Sequence, residues 1–479
     1  MGGVCAPIVI LPIKSLKSAF KSNSFGLSCF LKGRQMIDYQ TAVDVDQSSK
    51  MPKAVKYILG NEAFERFSFY GMRCILVVFM TKYLLGSGGQ LDVMTNEQSM
   101  YWHHIFVGLV YFATIVGALI SDIWLGKYKT ILYFSVVYCA GFAVMSIYHT
   151  RVGLAAGLIM VVIGSGGHKP CISAFLGDQF GKSNQNLVSR VYSWFYFSVN
   201  LGAFISNIIC PWLLVTYGPT AGFGVPAVCM FLATAVFWFG NKSFSHTPAK
   251  GAEFIKETFS SEGFLALGKL SIIFVFVAMF WALFDQSYSS WILQAEQMDQ
   301  NWLGFKILPA QMAAANPIMV MLLIPVFSYT VYPAINKIFK LNPLRKISIG
   351  FFIAAASFVV SAWIQQQISA GNKITIGWQA LAYIILTSAE IMVSITALEF
   401  AYTQAPKKMK SFVMAVFLLS VTLGNFFTAI VNQFIQNADG TSKLEGSSYY
   451  WFFTLAMLGT ACVFIPVAKL YREKTYIQN

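Results

Sequence analysis

Apolar runs long enough to cross a bilayer recur twelve times in this 479-residue chain, at about 57–84, 101–122, 130–149, 152–175, 190–216, 223–241, 266–293, 313–336, 346–367, 377–402, 411–436 and 449–471. A hydrocarbon core about 30 Å thick is spanned by about 20 helical residues. In lipid, backbone polar groups are satisfied only within helices or closed barrels. The runs therefore predict an all-α polytopic membrane protein of twelve transmembrane helices. Composition agrees: 56% of residues are hydrophobic and 11% charged, against about 25% charged in a soluble domain. Mean hydropathy is +0.60.

A net charge of +14 suggests nucleic acid at first sight, but the basic residues form no single patch. They gather on alternate loops. Lys127/Lys129, Lys182/Arg190, Lys242/Lys250/Lys256, Lys337/Lys340/Arg345/Lys346 and Lys407/Lys408/Lys410 share one side, against Lys82, Arg151, Lys306, Lys373 and Lys443 on the other. An even span count puts both termini on one side, and the loop charges make that side cytoplasmic. The eight Cys, including Cys74, Cys139, Cys171, Cys210, Cys229 and Cys462 within spans, form no CxxC pair and no disulfide framework.

Residues 1–50 read as a poorly ordered cytoplasmic leader. Ile8–Leu11 is too short to span and ends at Pro12, and the segment lacks the order of a cleaved signal. A basic cytoplasmic loop at 242–265 divides the rest into a first six-helix bundle, 51–241, and a second, 266–479, with a short cytoplasmic tail. Two such halves place a binding site near the midplane between them.

The most improbable stretch is Asn61–Arg73, which opens the first span yet holds Glu62, Glu65, Arg66 and Arg73. A charge at a helix centre costs about 2.5–3.5 kcal/mol on insertion scales, so ionisable groups within spans are functional candidates. Glu62, Arg66, Tyr70 and Arg73 follow i, i+4, i+8, i+11 spacing and share one helical stripe, which Glu65 adjoins. Lys169 in span four, Lys269 and Asp285 in span seven, and Glu390 and Glu399 in span ten add further charges. At about 1.5 Å per residue, Arg73 and Asp285 reach similar depth, and so do Lys169 and Glu390. Two opposite-charge pairs across the halves are expected, Arg73 with Asp285 and Lys169 with Glu390. Fixed ion pairs would bond helices together, whereas charges that exchange partners or a proton would drive a coupled transporter.

Glu399 reads as an interface or packing carboxylate, and Lys269 as a snorkelling end residue with an inner-gate role as the alternative. His104 is a proton-handling candidate by its chemistry. His168, beside Lys169, reads as neutral and structural. Tyr70 and Tyr111 stand out among many aromatics. Tyr70 lies on the charged stripe, and Tyr111 lies two turns from His104. The Gly117–Lys127 turn, with Asp122, reads as a gate and packing element. Gly164-Ser165-Gly166-Gly167 lacks the strand and the Gly-Lys-Ser/Thr ending of a phosphate loop, and no metal-ligand spacing or nucleophilic triad appears.

These residues resemble the proton-coupled oligopeptide transporter (POT/PTR) family of the major facilitator superfamily. The opening stretch is similar to that family's Glu-x-x-Glu-Arg-Phe-x-Tyr-Tyr-Gly motif, with Glu62, Glu65, Arg66, Phe67, Tyr70 and Gly71 matching and Phe69 in place of the first Tyr. Residues 117–131 and 195–202 resemble the two family signatures. Gly164–Pro170, Phe280–Gln286, Asn316-Pro317 and Leu398–Pro406 continue the similarity, which runs from about 52 to 471.

The resemblance implies proton-driven symport of di- and tripeptides by alternating access. It implies proton coupling by Glu62, Glu65, Arg66, Asp285 and His104. It implies substrate binding by Tyr70, Arg73, Tyr111, Lys169, Asn200, Trp281, Asn316 and Glu390. Gating would fall to Arg73, Asp285, Asp122 and Lys269. The lipid bilayer, protons and peptides are the expected partners, without nucleic acid. A monomer of the plasma membrane or bacterial inner membrane, with no cofactor beyond the co-transported proton, is expected. Phe417 stands where many members have Trp, and Ser328 where animal members have an Asp, which would pair with Lys269. A proton symporter of nitrate or an amino acid is the alternative on the same scaffold, and a non-transporting peptide sensor the alternative in another class. The charges set for both ends of a zwitterion favour peptide transport over both. No catalytic constellation suggests an enzyme.

Overall fold

The computed structural model describes residues 50–181, 183–249, 251, 261–404, 410–437 and 442–471. The leader expected at 1–50 lies almost wholly outside the described residues. Twelve long helical segments follow the twelve apolar runs: α1 (Ala54–Lys82), α2 (Asn96–Ile120), α3 (Lys127–Ile147), α4 (Arg151–Gly177), α5 (Val188–Tyr217), α6 (Pro219–Phe239), α7 (Ser261–Phe284), α8 (Ala315–Val326), α9 (Pro343–Ser369), α10 (Gly377–Glu390), α11 (Lys410–Ile435) and α12 (Ser447–Leu470). Among the described residues, eleven of them are long and apolar enough to cross a membrane. The exception is α1, whose four intramembrane charges set it apart.

Local chemistry fixes the ends. α2 starts at a capping box, in which the Thr95 hydroxyl accepts from Gln98 N at 3.2 Å and Gln98 Oε1 accepts from Thr95 N at 3.4 Å. The Asn342 side chain caps α9 by accepting from Arg345 N at 2.8 Å, with Pro343 just inside the helix. These caps explain why α2 begins about five residues before its apolar run.

Three helices are not the continuous rods their apolar runs predict. α7 gives way at Asp285–Tyr288 to a 3-10 turn and resumes as a short helix, Ser290–Ala295. α8 is preceded by a 3-10 segment, Pro309–Ala314, and continues through a π-turn, Phe327–Val331, into Tyr332–Ile338. α10 passes through a π-turn, Ile391–Ile395, immediately after Glu390, before Thr396–Gln404. A third π-turn, Ser121–Leu125, holds Asp122 at the end of α2. Apolar periodicity does not report these changes in hydrogen-bond register, which frequently mark functional positions.

In the first half α1 packs on α5 and α6, α2 on α4, and α3 on α4 and α6. In the second, α7 packs on α11, and α9 on α10 and α12. The halves meet along α2 with α11 and α5 with α8. A two-residue-strand hairpin, β1 (Asn301–Trp302) and β2 (Phe305–Lys306), connects α7 to α8.

Small residues set the tightest crossings, as they do where helices pack without a hydrophobic drive in lipid. A Cβ on Gly117 of α2 would come within 2.1 Å of the Gly166 carbonyl oxygen of α4, and one on Gly424 of α11 within 2.2 Å of the Ala278 carbonyl of α7. The Gly164–Gly167 run thus serves helix packing. Gly117→Val should cost at least about 1–3 kcal/mol through overpacking against backbone that cannot give way. Its thermal unfolding in detergent should shift down, while Gly459→Ala, whose Cβ meets nothing within 4 Å, should leave the transition in place.

Candidate functional site

Two charge clusters occupy the interior. The first lies on α1 and its neighbours within the first half. The Arg66 Nε donates to Glu62 Oε1 at 2.6 Å and lies 3.2 Å from Glu65 Oε2. Glu65 Oε1 also accepts from the Tyr138 hydroxyl of α3 at 3.0 Å and faces Lys169 Nζ of α4 at 3.3 Å. The Lys169 ammonium stands 3.5 Å over the Phe69 ring, a cation–π contact on the residue that departs from the family motif. Glu62, Glu65 and Arg66 are all buried. Two carboxylates and two cations balance, which makes burial of four charges tolerable. Asn61 beside them donates to the Ala233 carbonyl at 2.9 Å, and its oxygen meets His168 Nε2 at 3.0 Å. His168 therefore donates from Nε2, as suits a neutral structural histidine.

The second cluster joins the halves. Arg73 Nη2 of α1 donates to Asp285 Oδ1 at 2.6 Å, with both side chains buried, as their matching depths predict. Asp285 Oδ2 accepts from Asn425 Nδ2 of α11, also at 2.6 Å. Asn425 Nδ2 donates in addition to the Val421 carbonyl, so its oxygen is left facing His104 Nδ1 at 2.8 Å. His104 Nε2 meets the Ser289 hydroxyl at 2.9 Å. The Asn425 oxygen can only accept, so Nδ1 of His104 carries a proton. The Ser289 hydroxyl can donate or accept, so both the neutral imidazole and the imidazolium fit the same geometry. The break in α7 makes this possible, because it puts Asp285, Tyr288 and Ser289 on a turn facing α1, α2 and α11.

The second expected ion pair does not form. Lys169 is held by Glu65 and Phe69 in its own half, and Glu390 instead accepts from Asn316 Nδ2 of α8 at 2.9 Å, where Asn316 also reaches Thr387 Oγ1 at 3.1 Å. Equal depth brings Lys169 and Glu390 to one level, but nearer partners within each half satisfy them. Lys269 is exposed, and so are Glu399 and Ser328, which fits Lys269 as a snorkelling end residue.

Four other substrate-binding candidates are buried and hold a polar atom without a protein hydrogen-bond partner among the described residues. These are Tyr111 Oη, Asn200 Oδ1, Trp281 Nε1 and Asn316 Oδ1, together with Arg73 Nε and Nη1. Asn200 Nδ2 donates one hydrogen to the Tyr196 carbonyl at 2.9 Å. Tyr70 is buried and its ring lies 6.1 Å from that of Tyr288. Phe417, buried, meets Phe274 edge-on at 5.6 Å, filling the α7–α11 seam with an aromatic that has no indole N–H.

Sequence reasoning missed Asn425, Ser289, Tyr288, Asn207 and Tyr138. An amide within an apolar run was a usable signal for Asn207 and Asn425. Ser289, Tyr288 and Tyr138 carried none that separates them from packing residues. Among the described residues, the bonds across the halves set out here gather at one end, that of the 83–95 connection, which the loop charges make the outer end. Besides the Arg73 cluster they include Thr422 Oγ1 donating to the Gly108 carbonyl at 3.1 Å, Gln311 Nε2 to the Ile208 carbonyl at 2.9 Å, and Lys82 to Glu296 at 2.6 Å. The structure is closed at that end.

The sequence pattern of the POT family matches residues 128–265 and 260–452. "Peptide transporter family 1" of Drosophila melanogaster is 36% identical over 363 residues, 66% of this chain and 48% of the relative. "Solute carrier family 15 member 2" of Homo sapiens is 32% identical over 401 residues, 73% of this chain and 54% of the relative. The chain thus spans about half the length of the curated relatives it matches. An auto-inhibited POT family peptide transporter of known structure superposes with a TM-score of 0.80 at 30% identity, covering 89% of this chain and 99% of the other. The structure of the POT family transporter PepTSo gives 0.78 at 33% identity, covering 88% and 98%. The chain is a multi-pass integral membrane protein with the major facilitator fold, and it belongs to the POT family.

Proposed function

We propose that this chain carries di- and tripeptides across the membrane together with protons, by alternating access. The observation that carries the reading is the division of charge and unpartnered polar atoms between the halves. Arg73 and Lys169 offer cations from the first half, and Glu390 offers an anion from the second. Tyr111 Oη, Asn200 Oδ1, Trp281 Nε1 and Asn316 Oδ1 are buried with no protein partner among the described residues. A short zwitterionic peptide offers a match for each: a carboxylate that can replace Glu65 at Lys169 or Asp285 at Arg73, an ammonium for Glu390, and amides for the polar atoms. An anion such as nitrate would leave Glu390 unanswered. The peptide-transporter names of the relatives support the same substrate class.

The proton acts on the balanced cluster. A proton on Glu62 or Glu65 leaves Arg66 and Lys169 with a net positive charge, and Lys169 then exchanges Glu65 for the peptide carboxylate. A proton on Asp285 removes the charge that holds Arg73 and loosens the outer end. His104, bonded to Asn425, which in turn bonds Asp285, is a second proton acceptor beside that carboxylate; the amide between them positions both and relays no proton. Rocking of the halves moves the site from one face to the other. The protein acts as a monomer in a plasma membrane or bacterial inner membrane, with the proton as its only co-transported ion.

Uptake of a labelled dipeptide into proteoliposomes under a pH gradient tests the reading, with nitrate, free amino acids and tripeptides as competitors. Tripeptides alone should compete strongly; competition by nitrate with no peptide uptake would overturn it. Glu62→Gln should abolish gradient-driven uptake and retain peptide counterflow, and unchanged gradient-driven uptake would remove Glu62 from the coupling role. Lys169→Ala and Glu390→Gln should each weaken peptide binding by about 10–100-fold, the loss of one charge-assisted contact. The effect of Lys169→Ala should vanish for C-terminally amidated peptides and that of Glu390→Gln for N-acetylated ones.

A further inference from the structure

We propose that Tyr288 is a second hold on Arg73, independent of protonation: its ring keeps the guanidinium docked across the halves when Asp285 is neutral. The Arg73 guanidinium carbon stands 4.4 Å from the Tyr288 ring centroid, within cation–π range. Both residues are buried, where this attraction is strongest for lack of competing water. The ring is fixed from its far end, because the Tyr288 hydroxyl accepts from Asn207 Nδ2 of α5 at 3.1 Å. Tyr288, on the second half, is thus gripped by α1 and α5 of the first.

The two holds respond differently to a proton. Asp285 holds Arg73 by charge only as a carboxylate; the neutral acid keeps no more than an ordinary acceptor oxygen for it. The quadrupole of the Tyr288 ring is unaffected by carboxyl protonation. The titratable and charged groups around Arg73, Asp285 and Tyr288 are Tyr70 and Cys74 of α1, His103, His104 and Tyr111 of α2 and Glu390 of α10. None of them provides another anion in contact with Arg73 among the described residues, so Tyr288 is what remains when Asp285 is neutral. Protonation therefore weakens the outer closure without releasing it, and opening waits for a further event at the site. Tyr288 is a positioning residue for Arg73.

This inference rests on the alternating-access reading above, and its test needs no substrate. Spin labels at Val93→Cys and Phe305→Cys, exposed on outer connections of the two halves, report the outer distance by pulsed electron resonance in nanodiscs, with Cys5→Ser, Cys29→Ser and Cys462→Ser in the background. Asp285→Asn alone should keep the short distance dominant. Tyr288→Leu should match the parent at high pH and open as the medium is acidified. Asp285→Asn with Tyr288→Leu should shift the closed-to-open ratio by about 10-fold or more at any pH. Asp285→Asn with Tyr288→Phe, which keeps the ring, should behave as Asp285→Asn alone. The inference is overturned if Asp285→Asn opens the outer end by itself, if the leucine double variant stays closed, or if phenylalanine fails to rescue. The parent-like distance of Tyr288→Leu at high pH shows that the fold survives the change. A chain that gives the proposed distance pattern but takes up no peptide overturns the transport reading and leaves the role of Tyr288 standing.

Discussion

The Arg73–Asp285 ion pair is the contact on which the observed arrangement depends. Both groups are buried, and removing one partner of such a pair typically costs 3–5 kcal/mol because the other is left as a lone buried charge. That penalty forces the rest of the outer end into place. α7 must break at Asp285 to aim its carboxylate at α1, and α11 must lie close enough for Asn425 to satisfy the second carboxylate oxygen. α2 must then bring His104 against Asn425, which seats Gly108 on Phe426 of α11, where a Cβ would fall 2.5 Å from the ring. The closed outer end is one connected object.

The other buried charges obey the same constraint without crossing the halves. Glu62, Glu65, Arg66 and Lys169 cancel within the first half. Glu390 is answered by the neutral side chain of Asn316. This asymmetry suits a machine whose halves must separate, because an ion pair between Lys169 and Glu390 would bolt them together at the site. With each group held on its own side, no ion pair joins them. The sequence expectation of that pair failed for this reason: depth along a helix says which residues share a level, and nearer partners decide which of them bond.

The positions most legible in the sequence were those whose cost in lipid is highest. The charges at Glu62, Glu65, Arg66, Arg73, Asp285 and Glu390 stood out within apolar text, and the structure gathers them into the interior. Neutral partners were hidden. Tyr288 and Tyr138 look like any membrane aromatics until a cation or a carboxylate is found beside them, and Ser289 becomes informative only because α7 breaks before it. The π-turn after Glu390 was equally silent, since one inserted residue in a helix leaves hydrophobicity unchanged.

By itself the sequence determined twelve helices, their arrangement in two bundles and the short set of buried charges, because bilayer thickness and the cost of burying charge act on residues one at a time. The tertiary structure alone decided which charges pair, where α7 and α10 depart from regular helix, that the halves are bonded together at one end, and that an asparagine links a histidine to Asp285. Those are properties of contacts between residues far apart in the chain. Their energies depend on distances of a few ångströms, which residue identities do not encode until the helices are packed.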